Sequence, residues 1–291
     1  MQNDKINFSL IIPIGLMLFS FFFGAGNLIF PPVLGQMAGD NIGWGMLGFC
    51  LSGVGFPLLG VLAMAMKQSD NPDSIAMPMH PLYARAVTIL CALAIGPLFA
   101  IPRTAAVSFD TGIHSLLPAS CEAIGLPVYT VFFFVLTYFF SINPSKIIGH
   151  IGKFLSPMLL ICLAVLVVCV FVNPTGNLQM PNPDFAATPF FRGFQEGYNT
   201  MDLLAAILFG SITIKAIEAQ GITDKKVLTK LCSYAGLIAA FFLAIIYAAL
   251  AYTGALSINV FGVIPNGATL LSKICTYYMG FGGQVVLALI I

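Results

Sequence analysis

Charge is scarce in this sequence. Of 291 residues, 8% are Asp, Glu, Lys or Arg, while 59% are hydrophobic. A soluble globular domain carries about 25% charged residues. So little charge excludes a solvated surface over most of the chain. A net charge of +1 also argues against a nucleic-acid partner. None of the seven cysteines (Cys50, Cys91, Cys121, Cys162, Cys169, Cys232, Cys275) forms a CxxC pair, and most lie inside apolar runs. They read as small buried hydrophobes. The histidines, His80, His114 and His150, fall in or near loops without metal-ligand spacing. A paired HxxxH, a DxD loop motif and a clustered Ser/His/Asp set are all missing, which disfavours a membrane-embedded enzyme. No catalytic residue and no organic cofactor is expected.

Long apolar runs are abundant, and mean hydropathy is +0.97. About 20 apolar residues in a helix cross the ~30 Å hydrocarbon layer. Hydropathy places spans near 9–34, 42–66, 84–111, 125–142, 150–172, 193–214 and 232–254, with an eighth from about 279 to the last residue. The chain thus reads as an all-α, polytopic membrane protein with one membrane domain. With a cytoplasmic N-terminus, the cytoplasmic segments hold Lys5, Lys67, Arg85, Lys146, Lys153, Lys215, Lys225, Lys226 and Lys230, and the outer ones Arg192 and Lys273. That is the positive-inside bias. Ser9–Phe23 followed by Gly24-Ala25-Gly26 also fits a signal peptide, whose cleavage would discard the first span. The Pro- and Asn-rich segment Asn173–Phe191 reads as a loop without a helix of its own, and the 67–83 loop is similar.

Within the first span lies FFFGAGNLIFPP, Phe21–Pro32. An unbonded backbone group in lipid costs several kcal/mol, so a broken helix survives where protein or a water-filled cavity satisfies it. Gly24 and Gly26 ease non-helical backbone, Asn27 adds an amide, and Pro31 and Pro32 each remove a donor. Unwinding exposes amides at a half-helix start, which attract a carboxylate, and carbonyls that suit sodium. The simpler use of the same residues is a packing kink, since Gly and Pro are frequent in membrane helices.

A second interruption opens the sixth span: FQEGYNTMDLLAAILFG, Phe194–Gly210. Glu196, Gly197, Asn199, Thr200 and Asp202 cluster where apolar residues are expected. Inverted-repeat transporters interrupt corresponding helices in both halves, and a five-helix repeat pairs span one with span six. On this reading Gly197–Thr200 is unwound, and Asp202 offsets an ammonium group or caps the half-helix. A solvated helix mouth is the plain alternative for Glu196 and Asp202. In the third span, GPLFAIPRTAAVSFD (Gly96–Asp110) holds Arg103 in apolar surroundings, where such residues usually face the bundle interior. Arg103 and Asp110 share a helix face two turns apart. Arg103 is read either as snorkelling or structurally paired, or as a gating charge. Phe22, Phe23 and Phe99 are candidates to line an apolar pocket.

FFFGAGNLIFPPVLG, GPLFAIPRTAAVSF and EGYNTMDLLAAILFG together resemble the bacterial branched-chain amino acid carriers, the BrnQ-type members of the branched-chain amino acid:cation symporter family. The resemblance implies sodium-coupled uptake of leucine, isoleucine and valine across the bacterial inner membrane. It implies a LeuT-like inverted repeat of five plus five helices, here 1–172 and an incomplete 193–291, with discontinuous helices 1 and 6. By that similarity, amides at Gly24, Ala25 and Gly26 hold the substrate carboxylate. Carbonyls near Ser20 and Phe23, with the Asn27 side chain, lie near sodium. Gly197, Tyr198, Asn199 and Thr200 complete the pocket. The chain departs from the family by stopping inside its eighth span, where members run to about twelve. It is therefore expected to be a fragment, a truncated and transport-inactive product, or one needing a complementing chain. A passive channel is the lesser alternative, because the breaks fall in two particular helices rather than in polar stripes. The expected partners are the amino acid, sodium and lipid.

Overall fold

The computed structural model describes residues 8–113, 122–142 and 156–290, all helices and connections. Lys5, His114, Cys121, Lys146, His150 and Lys153 lie outside the described residues. The elements are α1 (Phe8–Phe22), α2 (Ala25–Ala38), α3 (Ile42–Cys50), α4 (Phe56–Lys67), α5 (Pro81–Leu93), α6 (Ala100–Ser108), α7 (Glu122–Ser141), α8 (Ser156–Val172), α9 (Pro183–Ala187), α10 (Pro189–Tyr198), α11 (Asp202–Glu218), α12 (Lys225–Phe261) and α13 (Gly267–Ile290). Among the described residues, four helical stretches are long and apolar enough to cross a membrane: Ala25–Lys67, Pro81–Gly112, Ile124–Ser141 and Lys225–Phe261. The pair α10 and α11 passes the same test as a span bent by 46°.

The all-α, multi-pass expectation holds, with several shifts of detail. The first span breaks at Phe23-Gly24, leaving half-helices of 15 and 14 residues, so the break sits in its middle. The double proline does not add to that break. Pro31 and Pro32 are buried inside a continuous α2, because their lost hydrogen bonds fall one turn back, on carbonyls near the break. The Asn173–Phe191 segment does contain a helix, α9, capped by the Asn182 side chain on the Asp184 amide. The sixth span then starts at Pro189, where proline suits a first helical position. The last helix begins at Gly267, not near 279, because Asn266 caps it by accepting from the amides of Ala268 and Thr269. The expected start coincides instead with a break at Gly280, φ 57°, a backbone region open to glycine.

The core forms where α12 crosses α1, α2 and α3. Phe19, Phe49, Leu243, Tyr247 and Leu250 are buried there. Small residues let the backbones approach closely, as is common between membrane helices. A Cβ on Gly35 would stand 1.8 Å from the Ala251 carbonyl, and one on Gly254 would stand 2.0 Å from that of Pro32. Gly48 and Gly193 do the same between α3 and α10, at 2.0 Å from Phe190 O and 1.8 Å from Gly45 O.

The two ends of the bundle differ. At one, Lys215 pairs with Asp70 at 3.6 Å, and Thr229 on α12 donates to Ala65 O at 3.0 Å. Lys67, Lys225, Lys226 and Lys230 belong to the same ends of α4 and α12. At the other, the 173–182 segment bonds the end of α2 and its turn, Asp40 N to Gln179 O at 3.0 Å and Asn182 N to Met37 O at 2.9 Å. Thr175 there donates to Leu256 O on α12. Among the described residues, these five lysines of the alternation share one end of the bundle.

Candidate functional site

The two helix breaks meet at one place. A cavity of about 90 Å³ lies between them, lined by Phe21, Phe22, Gly24, Ala25, Gly26, Asn27, Arg103, Thr104, Thr200, Met201, Asp202 and Phe209 among others. Ligand pockets usually start near 300 Å³, so this arrangement of the site is a tight one.

The first break supplies backbone groups. Gly24 is extended, φ −117° and ψ −175°. Its N–H donates to Asn27 Oδ1 at 3.4 Å, and its carbonyl accepts from Asn27 N at 3.0 Å. Ala25 and Gly26 then occupy the first helical positions of α2, whose amides have no partner within the helix and carry its positive dipole end. Proline at 31 and 32 removes the amides that would otherwise bond the carbonyls of Asn27 and Leu28. The same half-helix thus offers donors for an anion and carbonyls for a cation within one turn.

The second break is displaced from where the residues suggested. Gly197 and Tyr198 remain in α10, and the interruption runs over Asn199, Thr200 and Met201. Gly197 serves packing instead: a Cβ there would stand 2.3 Å from Ser52 Oγ and 2.4 Å from Phe49 O. Tyr198 is 48% exposed and outside the cavity. The turn is made by Met201 in the left-handed region, φ 69°, which costs a non-glycine residue roughly 1–2 kcal/mol. Strain of this kind concentrates at functional sites. Met201→Val, β-branched, is expected to lower stability by ~1 kcal/mol or more relative to Met201→Gly. Thermal midpoints of the two purified variants check this, and equal midpoints would remove the strain.

Arg103 closes the site from α6. Its Nη1 donates to Asn199 O at 2.9 Å and its Nη2 to Thr200 O at 3.2 Å. Those carbonyls end α10, where a cation is favoured. Arg103 also faces the rings of Phe30 and Phe99, at 5.5 and 5.9 Å. Its side chain neither snorkels to a bundle end nor spends its fork on Asp110, which lies in the π-turn after α6. Gly26 makes room for it, since a Cβ there would meet Arg103 Nη2 at 2.7 Å.

Asp202, the first residue of α11, is 5% exposed. It does not cap its own helix. Its Oδ2 accepts from Asn27 Nδ2 at 2.6 Å and from the Tyr247 hydroxyl at 3.3 Å. Asn27 Nδ2 also donates to the Tyr247 oxygen. Tyr247, 0% exposed in the middle of α12, is the residue the sequence reading missed. A tyrosine inside an apolar span needs a partner for its hydroxyl, and that was the available signal.

The remaining candidates lie at the edge or beyond. Asn199 reaches the site by its carbonyl, while its side chain donates to Glu196 Oε2 at 3.4 Å. Glu196 thus stays one turn before the break. Ser20 Oγ donates to Leu16 O at 2.9 Å. The Phe23 ring stacks on Phe19, at 5.3 Å, and on Tyr247, at 6.4 Å. Phe22 lines the cavity, and Phe99 touches it through Arg103.

The family model described as branched-chain amino acid transport protein matches residues 8–291. The branched-chain amino acid permease BrnQ of Bacillus subtilis is 45% identical over 290 residues, covering 100% of this chain and 66% of the permease. The permease BraB of the same organism is 43% identical, covering 95% and 62%. BrnQ of Escherichia coli K12 is 37% identical, covering 97% and 63%. The chain thus spans somewhat less than two thirds of the length of these relatives, which are permeases and not enzymes. No solved structure matches it significantly. On the match from residue 8 to residue 291 and these identities, the chain belongs to the branched-chain amino acid transport protein family.

Proposed function

We propose that this chain carries the substrate site of a sodium-coupled carrier for leucine, isoleucine and valine. The observation that supports it best is the meeting of two broken spans at one cavity, in a chain of this family. Amides of Ala25 and Gly26, beside Gly24, hold the substrate carboxylate. Phe21, Phe22 and Phe209 face its apolar side chain. Carbonyls near Ser20, Phe23 and Asn27, with the Asn27 amide, serve the sodium ion. All are hard oxygen donors, the type that suits such a cation. The carrier sits in the bacterial inner membrane with its basic end cytoplasmic. Its two five-helix repeats begin with the broken first and sixth spans.

Transport on this reading is alternating access. The tight cavity opens to one side and then the other, and the ligands shift the balance by binding the two states unequally. At about 100 mV, inward movement of one sodium charge supplies about 2.3 kcal/mol, which is roughly fiftyfold in accumulation. Labelled leucine uptake into proteoliposomes, with and without an inward sodium gradient, tests this. Sodium-driven accumulation is expected. Uptake indifferent to sodium would remove the coupling, and no uptake in either condition would remove transport by this chain. Asn27→Ala is expected to weaken both leucine and sodium at least about tenfold. An active variant with unchanged affinities would remove Asn27 from the site.

A further inference from the structure

We propose that the Asp202 carboxylate, with Tyr247 and the Asn27 amide, is the charged seat of the sodium ion. The inference rests on reading the chain as a sodium-coupled carrier. It adds to the neutral ligands of the first span a counter-charge from the sixth and a hydroxyl from the seventh.

Three observations carry it. First, Asp202 is 5% exposed and lies at the break, in the interior of the bundle. Second, its partners there are neutral. The carboxylate accepts from the Asn27 amide at 2.6 Å and the Tyr247 hydroxyl at 3.3 Å. Among the described residues no basic group lies within ion-pair distance of it; the ion pair found is Lys215 with Asp70. The nearby cation, Arg103, attracts the carboxylate from beyond ion-pair distance but gives its hydrogen bonds to the carbonyls of Asn199 and Thr200. An ionised carboxylate buried among neutral groups is strongly unfavourable, and acids inside a membrane bundle commonly mark ion pathways. A helix dipole offsets a small part of that cost. Third, the oxygens that converge are of one chemical type. They are Asp202 Oδ2 and the Tyr247 hydroxyl, 3.3 Å apart, joined by Asn27 Oδ1 once the amide turns over and gives up the Gly24 N–H.

The present arrangement shows how release would work. Asn27 directs its NH2 group at the carboxylate and at Tyr247, where it supplies the positive end of a dipole. A sodium ion takes that place when the amide rotates to present Oδ1. Because Asn27, Asp202 and Tyr247 stand on α2, α11 and α12, the ion ties together the two broken spans and the seventh. Occupancy and bundle arrangement are thereby linked, as coupling requires.

The test is direct binding of radioactive sodium to the purified chain in detergent, without leucine, with thermal stabilisation by sodium over potassium as a second readout. The wild-type chain is expected to bind sodium saturably. Asp202→Asn, which keeps the shape and removes the charge, is expected to lose about a hundredfold or more in affinity. Tyr247→Phe, which fills the same space, is expected to lose about tenfold, and it decides the matter if Asp202→Asn does not fold. A wild-type chain that binds no sodium, or variants that bind it as the wild type does, would overturn the assignment. So would stabilisation that follows pH but not sodium. Leucine binding is measured separately on the same samples. A chain that binds sodium at Asp202 but no leucine keeps this site and removes the amino-acid reading.

Discussion

Gly35→Ala is expected to destabilise the protein strongly, while Gly43→Ala leaves it intact. The added Cβ at 35 would stand 1.8 Å from the Ala251 carbonyl and 2.9 Å from the Ala255 amide. These are backbone atoms of α12, so no rotamer change relieves the clash. The helices would have to separate along their contact, loosening the core around Phe19 and Tyr247. Overpacking of this kind costs ~3 kcal/mol, against a total stability of roughly 5–15 kcal/mol. The partner glycine, Gly254, faces Pro32 O with the same lack of space. Gly43 meets nothing within 4 Å, and alanine there gains slightly in helix propensity. Monodisperse yield and the thermal midpoint in detergent are the measurements. A Gly35→Ala protein that melts with the wild type would show that the α2–α12 contact is looser than described.

The second large effect belongs to Arg103. If the chain transports as proposed, Arg103→Lys keeps the charge but is expected to cost about a hundredfold in leucine uptake. A guanidinium reaches Asn199 O and Thr200 O together as a planar fork, and a single ammonium cannot reproduce that geometry. Losing one or two hydrogen bonds from a charged donor costs about 3 kcal/mol, or roughly a hundredfold. The carbonyls ending α10 would then lose their positive partner, and the turn at Met201 would lose its support. Uptake initial rates check this, alongside folding by size-exclusion profile. Near-normal uptake by Arg103→Lys would reduce Arg103 to a diffuse counter-charge.

The first break was legible because its signals are local. Two glycines and an asparagine within four residues ease the helix out of its regular form, and Phe23-Gly24 is where it parts, while the prolines stay inside α2. The residues place the start of the second break two positions too early, at Gly197 rather than Asn199. Gly197 looked like a flexible residue, yet it is there to let α10 touch the Phe49 carbonyl. A sequence does not distinguish a glycine needed for bending from one needed for contact. The bend was made by Met201, a residue with no sequence mark for positive φ. Arg103 is visibly costly in its apolar surroundings. Its partners turned out to be backbone carbonyls 96 and 97 residues away, which side-chain pairing along one helix does not reveal.

The sequence by itself determined the membrane class, the helical passes, the alternation of basic segments and the residues that weaken the first span. These follow from hydropathy, charge and proline or glycine content summed over short windows, and such sums survive without knowing what packs on what. Tertiary structure alone decided that Tyr247 belongs to the site, that Asp202 faces Asn27 and not its own helix, and that Gly197 is a contact. Asn27 reaches Asp202 across 175 residues and Tyr247 across 220. Hydrogen bonds act over a few ångströms in space, so partners so far apart in the chain are set by how the helices cross.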